Sequence, residues 1–91
     1  GINMIIKETT LFKKDFKKYY RDMKIKSILT DVLTIIINNQ EFTIKYKNHM
    51  LKGKYKNYYE CHLLPNLLLI YKIDNNSLIL TRIGSHSDLF N

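Results

Sequence analysis

The spacing of apolar residues changes near the middle of the chain. In the first half it follows a helix. Phe12, Phe16 and Tyr19 fall at i, i+4 and i+7 and make one stripe. Thr9 or Thr10 can N-cap that helix. Tyr20-Arg21-Asp22 breaks the stripe, and Asp22 is suited to cap a second helix. There Ile25, Ile28, Leu29, Val32, Leu33 and Ile36 repeat at helical spacing until Asn38-Asn39 ends the run. This second stripe is aliphatic with few charges, which predicts a core-facing helix rather than one lying on a membrane. Ahead of both, Met4 to Glu8 predicts a short strand. Residues 40–50 predict a polar connection carrying Tyr46, Lys47 and His49.

The second half has the short period of strands. Leu51 to Tyr55 predicts a strand interrupted by Gly53, and Lys56-Asn57 a hairpin turn. Tyr58 to Leu64 predicts a strand with Tyr58, Glu60, His62 and Leu64 on one face and Tyr59, Cys61 and Leu63 on the other. After Pro65-Asn66, the run Leu67 to Ile73 is almost wholly apolar, as expected of a central strand covered on both faces. Asp74-Asn75-Asn76-Ser77 predicts a turn. Leu78 to Ile83 predicts the last strand, with Arg82 on the face of Leu78 and Leu80, and Gly84 lets the chain bend. Strand, two helices, then strands joined by short turns predict an α+β domain. The expected arrangement is an N-terminal strand, then two helices packed on one face of a mainly antiparallel four- to five-stranded sheet, leaving a polar face suited to Glu60 and His62. Residues 1–91 read as a single domain, with Gly1-Ile2-Asn3 as an expression remnant and Met4 as the expected start.

Composition narrows the classes. Fifteen Lys and Arg against eight Asp and Glu give a net charge of +7, and thirteen of the fifteen are lysine. A basic surface attracts phosphate backbones, anionic membranes or acidic proteins. Lys13, Lys14, Lys17 and Lys18 leave the apolar stripe of the first helix, either as a solvated face or as a phosphate-facing one. No apolar run approaches the roughly 20 residues that span a bilayer, and no signal peptide is evident. The single cysteine excludes an internal disulfide and fits a cytoplasmic location.

Candidate chemistry centres on His49, His62 and His86, thirteen and twenty-four residues apart. That spacing is not that of a zinc site, and neither a Cys pair nor an HExxH motif is present, so no metal or other cofactor is expected. Cys61 reads as a small buried hydrophobe, since adjacent His62 points to the opposite strand face. No glycine-rich phosphate loop exists, and the helices carry core stripes rather than a recognition face for DNA. What remains is a set of His, Arg, Lys and Tyr. It suits RNA cleavage, where the substrate's own 2′-hydroxyl is the nucleophile. Two imidazoles, whose ordinary pKa is about 6.5, can serve as base and acid. A guanidinium can hold the phosphate, and aromatic rings can stack on bases.

Three stretches carry a family resemblance. Asn48-His49-Met50-Leu51-Lys52-Gly53-Lys54-Tyr55-Lys56 resembles the DHxLxGxWK stretch of the YafQ branch of RelE-like toxins. Tyr58 to Tyr71 resembles its YRxxHxxPDxxLIY, and Arg82 to Phe90 its RxGxHxxLF terminus. Phe12-Lys13-Lys14-Asp15 and Ile36-Ile37-Asn38-Asn39 also fit, so the resemblance runs from Met4 to Asn91. It implies a RelE-like, microbial-RNase-like fold and a toxin of a bacterial type II toxin–antitoxin module. Such toxins enter the ribosomal decoding site, against 16S rRNA, cut translated mRNA without a metal and are neutralised by a cognate antitoxin. By matching position it implies an active centre of His49, His62, Arg82, His86 and Phe90. His86 would protonate the leaving group, and His49 or His62 would be the base or hold the phosphate. Arg82 would stabilise the charge at phosphorus, and Phe90 would position a base or His86. Glu60 would orient His62, while Lys13, Lys14, Lys17, Lys52, Lys54 and Tyr55 would meet the RNA. The chain departs from the pattern at Asn66, where the family has Asp, and at Leu67, where it often has Trp and a stacking surface. Tyr46, Tyr55 and Tyr58 are candidates to replace that surface. An amide cannot exchange a proton. Asn66 is therefore either a positioning group or the mark of a catalytically weak relative that acts mainly by binding its antitoxin or the ribosome.

Overall fold

A computed structural model describes residues 4–90, so the first three residues, read as a remnant, lie outside it, as does Asn91. β1 (Ile5–Glu8) leads into α1 (Thr10–Phe16) and α2 (Met23–Ile37). β2 (His49–Met50), β3 (Tyr59–Leu64), β4 (Leu67–Asp74), β5 (Ser77–Gly84) and α3 (His86–Phe90) follow. The sheet order is β1-β5-β4-β3-β2, with β1 parallel to β5 and the other pairs antiparallel.

Both predicted helix caps form. The Thr9 hydroxyl accepts from the Phe12 N–H at 3.0 Å, and Asp22 Oδ1 from the Ile25 N–H at 3.1 Å. Phe12, fully buried, and Ile25, Leu29, Val32 and Ile36 press α1 and α2 onto one sheet face. That face supplies Cys61, Leu67, Leu69, Tyr71, Leu78, Leu80 and Ile83. Tyr46 also enters this core from a 3-10 turn, so the connection expected to be polar is anchored there. The opposite face has its own smaller cluster, in which Leu89 of α3 covers Leu68 and Ile70, flanked by Leu51, Tyr55 and Tyr58.

Several strand expectations are corrected. The second strand is His49–Met50, not Leu51 to Tyr55, because Gly53 takes a φ of +70° and Gly53–Tyr55 coils into a 3-10 turn. Two irregularities also break the simple alternation. In β3 the pairing moves from His62↔Leu68 to Leu64↔Leu67 around Leu63, and Leu64 packs with the helix-side core instead of sharing the His62 face. In β5 the pairing moves from Tyr71↔Leu80 to Ile70↔Arg82, leaving Thr81 as the extra residue of a bulge. Leu78 and Leu80 face the helices, whereas Arg82 lies level with Ile70 on the opposite face. Gly84 has no positive φ. A Cβ there would stand 3.3 Å from Asp88 Cβ and 3.3 Å from Leu89 Cδ2, so its role is to let α3 approach the sheet.

Candidate active site

Register aligns the polar face. His49 pairs with Glu60, Glu60 with Ile70 and Ile70 with Arg82, which forms one row across four strands. The next row is His62, Leu68 and Gly84, and Gly84 leads through Ser85 into α3. Leu68 and Ile70 thus form an apolar floor. On one side of it stand His49, Glu60 and His62; on the other stand Arg82 and α3 with His86 and Phe90.

The first group centres on Glu60, which is buried. Its Oε2 lies 2.9 Å from His49 Nε2, whereas Oε1 is 4.0 Å from His62 Nε2 and has no hydrogen-bond partner. The closer partner of Glu60 is therefore His49, not His62 as expected. The other ring nitrogen of His49, Nδ1, is 2.7 Å from the Lys47 carbonyl, which can only accept. Nδ1 must donate there, so a neutral His49 would turn a bare lone pair on the Glu60 carboxylate. The His49–Glu60 contact therefore needs one shared proton, and both nitrogens of His49 are engaged. His62, half-buried, has no hydrogen bond on its ring among the described residues.

The second group is linked through aromatic contacts. The His86 and Phe90 rings are 4.8 Å apart, Phe90 meets Tyr55 edge-on at 6.0 Å and Tyr55 meets Tyr58 at 5.9 Å. Arg82 donates from Nε and Nη2 to Asp15 at 2.7 and 3.1 Å. These bonds to Asp15 are the chief reason its pKa is raised further, and Tyr55 adds to the effect. α3 starts with a reciprocal cap. The Asp88 N–H donates to Ser85 Oγ at 3.1 Å, and the Ser85 N–H to Asp88 Oδ2 at 3.3 Å. Those bonds, then Lys18 at 3.7 Å, hold the Asp88 carboxyl below its usual pKa. Asn66 ties the helix to the β3–β4 turn, its Oδ1 accepting from the His86 N–H at 3.2 Å.

The remaining candidates divide. Lys52, Lys54 and Tyr55 line a groove of about 300 Å³ with Leu89 and Phe90. Lys14 lines a cleft of about 250 Å³ beside Arg82, with Asp15, Lys18 and Asp88. Lys13 and Lys17 are exposed but line neither. Leu67 faces the helix-side core and Tyr46 is buried there, so neither bears on stacking at this face. Tyr55, Tyr58 and Phe90 supply its rings. Cys61 is fully buried and its thiol is pushed up to about 12, chiefly by burial, which makes it a packing residue. Asp15 was quoted in the family stretch Phe12-Lys13-Lys14-Asp15 but was given no role at the site. The available signals were that stretch and its place on the helix turn that carries Phe12 and Phe16.

The bacterial YafQ toxin of type II toxin–antitoxin systems is the family whose model matches residues 4–91. The chain belongs to the YafQ toxin family. The mRNA interferase toxin YafQ of Escherichia coli K12 is 35% identical over 80 residues, which are 87% of this chain and 87% of that one. A metal-bound toxin from Helicobacter pylori superposes with a TM-score of 0.86 at 40% identity, covering 96% of this chain and 99% of the other. YafQ in the E. coli DinJ-YafQ toxin–antitoxin complex superposes with a TM-score of 0.80 at 33% identity, covering 99% and 100%. The expected RelE-like α+β fold is thus that of solved YafQ toxins. Metal binding is a property of the H. pylori protein. Among the described residues of this YafQ relative, no three His, Cys, Asp or Glu side chains gather closely enough to hold a metal ion.

Proposed function

We propose that this chain is the toxin of a type II toxin–antitoxin module and stops translation by cutting mRNA in the ribosomal A site. It is an endoribonuclease. The observation that carries this reading is the shared face around Leu68 and Ile70, where His62, Glu60 and His49 stand opposite Arg82, His86 and Phe90.

His62 is the base, because its ring is free while both nitrogens of His49 are bonded. It takes the 2′-hydroxyl proton as O2′ attacks phosphorus. The P–O5′ bond breaks, and exposed His86 gives the departing O5′ its proton. The products are a 2′,3′-cyclic phosphate and a free 5′-hydroxyl. Arg82 carries fixed positive charge for the phosphorane oxygens. The His49–Glu60 pair sits beside His62 and sets its electrostatic surroundings. Tyr55 and Phe90 give edges and faces for stacking, and Lys52 and Lys54 hold neighbouring phosphates. A cognate antitoxin neutralises the toxin in the cytoplasm, as the DinJ–YafQ complex of the E. coli relative suggests.

The test is primer extension on mRNA, with and without ribosomes, comparing wild type with His62→Ala, His86→Ala and Arg82→Ala. Ribosome-dependent cuts that all three variants lose are expected. No cleavage by wild type, or equal cleavage by wild type and variants, refutes the reading and leaves a toxin that acts by binding.

A further inference from the structure

Asp15 is the one carboxyl among Lys13, Lys14, Lys17 and Lys18, yet it does not join their exposed face. Its side chain is 15% exposed and reaches across to β5. There Oδ2 accepts from Arg82 Nε at 2.7 Å and from the Ile83 N–H at 3.1 Å, while Oδ1 accepts from Arg82 Nη2 at 3.1 Å. The backbone explains the place. β1 stays beside β5 only as far as Glu8↔Leu80, and Thr9 then bonds Leu80 and Thr81 as the chain turns into α1. Beyond Thr81 no strand of the described residues lies on that edge, and Asp15 takes the N–H that a strand would have bonded. The carboxyl is thus anchored on rigid backbone and holds a residue of the reaction.

The stereochemistry of the fork sets what this can do. A guanidinium has five N–H donors in one plane. A carboxyl at Nε and Nη2 occupies its side edge. Asp15 leaves the end edge, formed by Nη1 and the second Nη2 hydrogen, to make two parallel bonds to a phosphate, with Tyr55 beside the guanidinium. We propose that Asp15 is the positioning residue for Arg82, fixing the guanidinium so that its end edge faces the scissile phosphate. A freely rotating Arg82 would bind phosphate at least as well but seldom in the orientation the transition state needs. Misplacement of about 1 Å costs on the order of a hundredfold in rate. The competing account is an ion pair that only joins α1 to β5.

This inference rests on the endonuclease reading, and the experiment separates the two. Single-turnover cleavage on ribosomes is measured for wild type, Asp15→Ala, Asp15→Asn, Arg82→Ala and the Asp15→Ala/Arg82→Ala double variant. Assays run below each variant's unfolding midpoint; where Asp15→Ala does not fold, the near-isosteric Asn variant takes its place in both backgrounds. The expected result is a kcat lowered by about a hundredfold with KM unchanged or lower. No further loss is expected when Arg82 is already alanine. Cleavage by the Asp15 variant within about threefold of wild type overturns the inference. So does an equal loss in both backgrounds, which means that Asp15 acts independently of Arg82; a purely structural pair lowers the unfolding midpoint but leaves kcat of the folded enzyme unchanged. No cleavage by wild type overturns the endonuclease reading, and this inference with it.

Discussion

Asn66 stands where the family pattern has a carboxylate, and its contact makes a quantitative prediction possible. Its Oδ1 accepts from the His86 N–H at 3.2 Å, joining the β3–β4 turn to the helix that carries the proposed acid. An acceptor is all this bond requires, and Asn and Asp both provide one. A neutral hydrogen bond contributes about 0.5–1.5 kcal/mol net. In Asn66→Ala, α3 keeps buried Leu89 and its Ser85–Asp88 cap, so it loosens rather than detaches. A loss of about 1 kcal/mol in the held conformation corresponds to about a fivefold drop in kcat/KM. Asn66→Asp keeps the acceptor and strengthens it by charge, so its activity should equal wild type or exceed it by a few fold. The assay is single-turnover primer extension at neutral pH, paired with amide hydrogen exchange at His86, which should lose protection only in the alanine variant. Two results refute the reasoning. Asn66→Ala equal to wild type means that the bond positions nothing. Asn66→Asp faster by about a hundredfold or more means that a carboxyl there moves a proton.

Other consequences can be checked separately. Cys61, with its thiol pushed up to about 12, should resist a thiol reagent in the native protein and react fully in denaturant. Gly84→Ala places a Cβ 3.3 Å from both Asp88 and Leu89 and should destabilise by about 1–3 kcal/mol in urea while displacing His86 enough to reduce cleavage. Asp88 has a folded pKa below its usual 3.8, so its contribution is present above that value and lost as pH falls through the folded one. Asp88→Asn should therefore unfold earlier than wild type at about pH 7 and about pH 5 and converge with it near pH 2 in thermal melts. Thr81→Ala keeps the bulge, and deletion of Thr81 keeps Arg82 outward and Ile83 inward by plain alternation from Leu80, so both variants should give soluble protein that cleaves, and insoluble or inactive protein refutes this account of the bulge.

Legibility in the sequence followed the range of the interactions. The caps at Thr9 and Asp22, the stripe of α2 and the turn at Asp74–Ser77 are local, and each was readable from neighbouring residues. The apolar run of β4, buried from Leu67 to Tyr71 with Ile73 exposed at its end, announced a central strand for the same reason. α3 was not readable, because five residues cannot display a helical period. The site residues His49, His62, Arg82, His86 and Phe90 were named by their motifs, but their pairings were not. Glu60 bonds His49 through strand pairing across β2 and β3, and Asp15 meets Arg82 across 67 residues of sequence. No periodicity encodes either contact.

The bulge at Thr81 shows why the least readable feature matters most to the face. Along β5, strict alternation would put Arg82 in line with Leu78 and Leu80, against the helices, and Ile83 on the other side. Burying a guanidinium in that core without a partner costs several kcal/mol, and leaving Ile83 outside forfeits about 1.5–3 kcal/mol more. One extra residue removes both penalties. Ile83 drops to 1% exposure beside Leu69, and Arg82 emerges beside Ile70 with Asp15 in reach. The same register brings Gly84 level with Leu68, where the missing Cβ admits α3. Arg82, Asp15 and His86 therefore depend on a single local choice in the backbone. It is imposed jointly by the apolar demand of the core below and the polar demand of the face above.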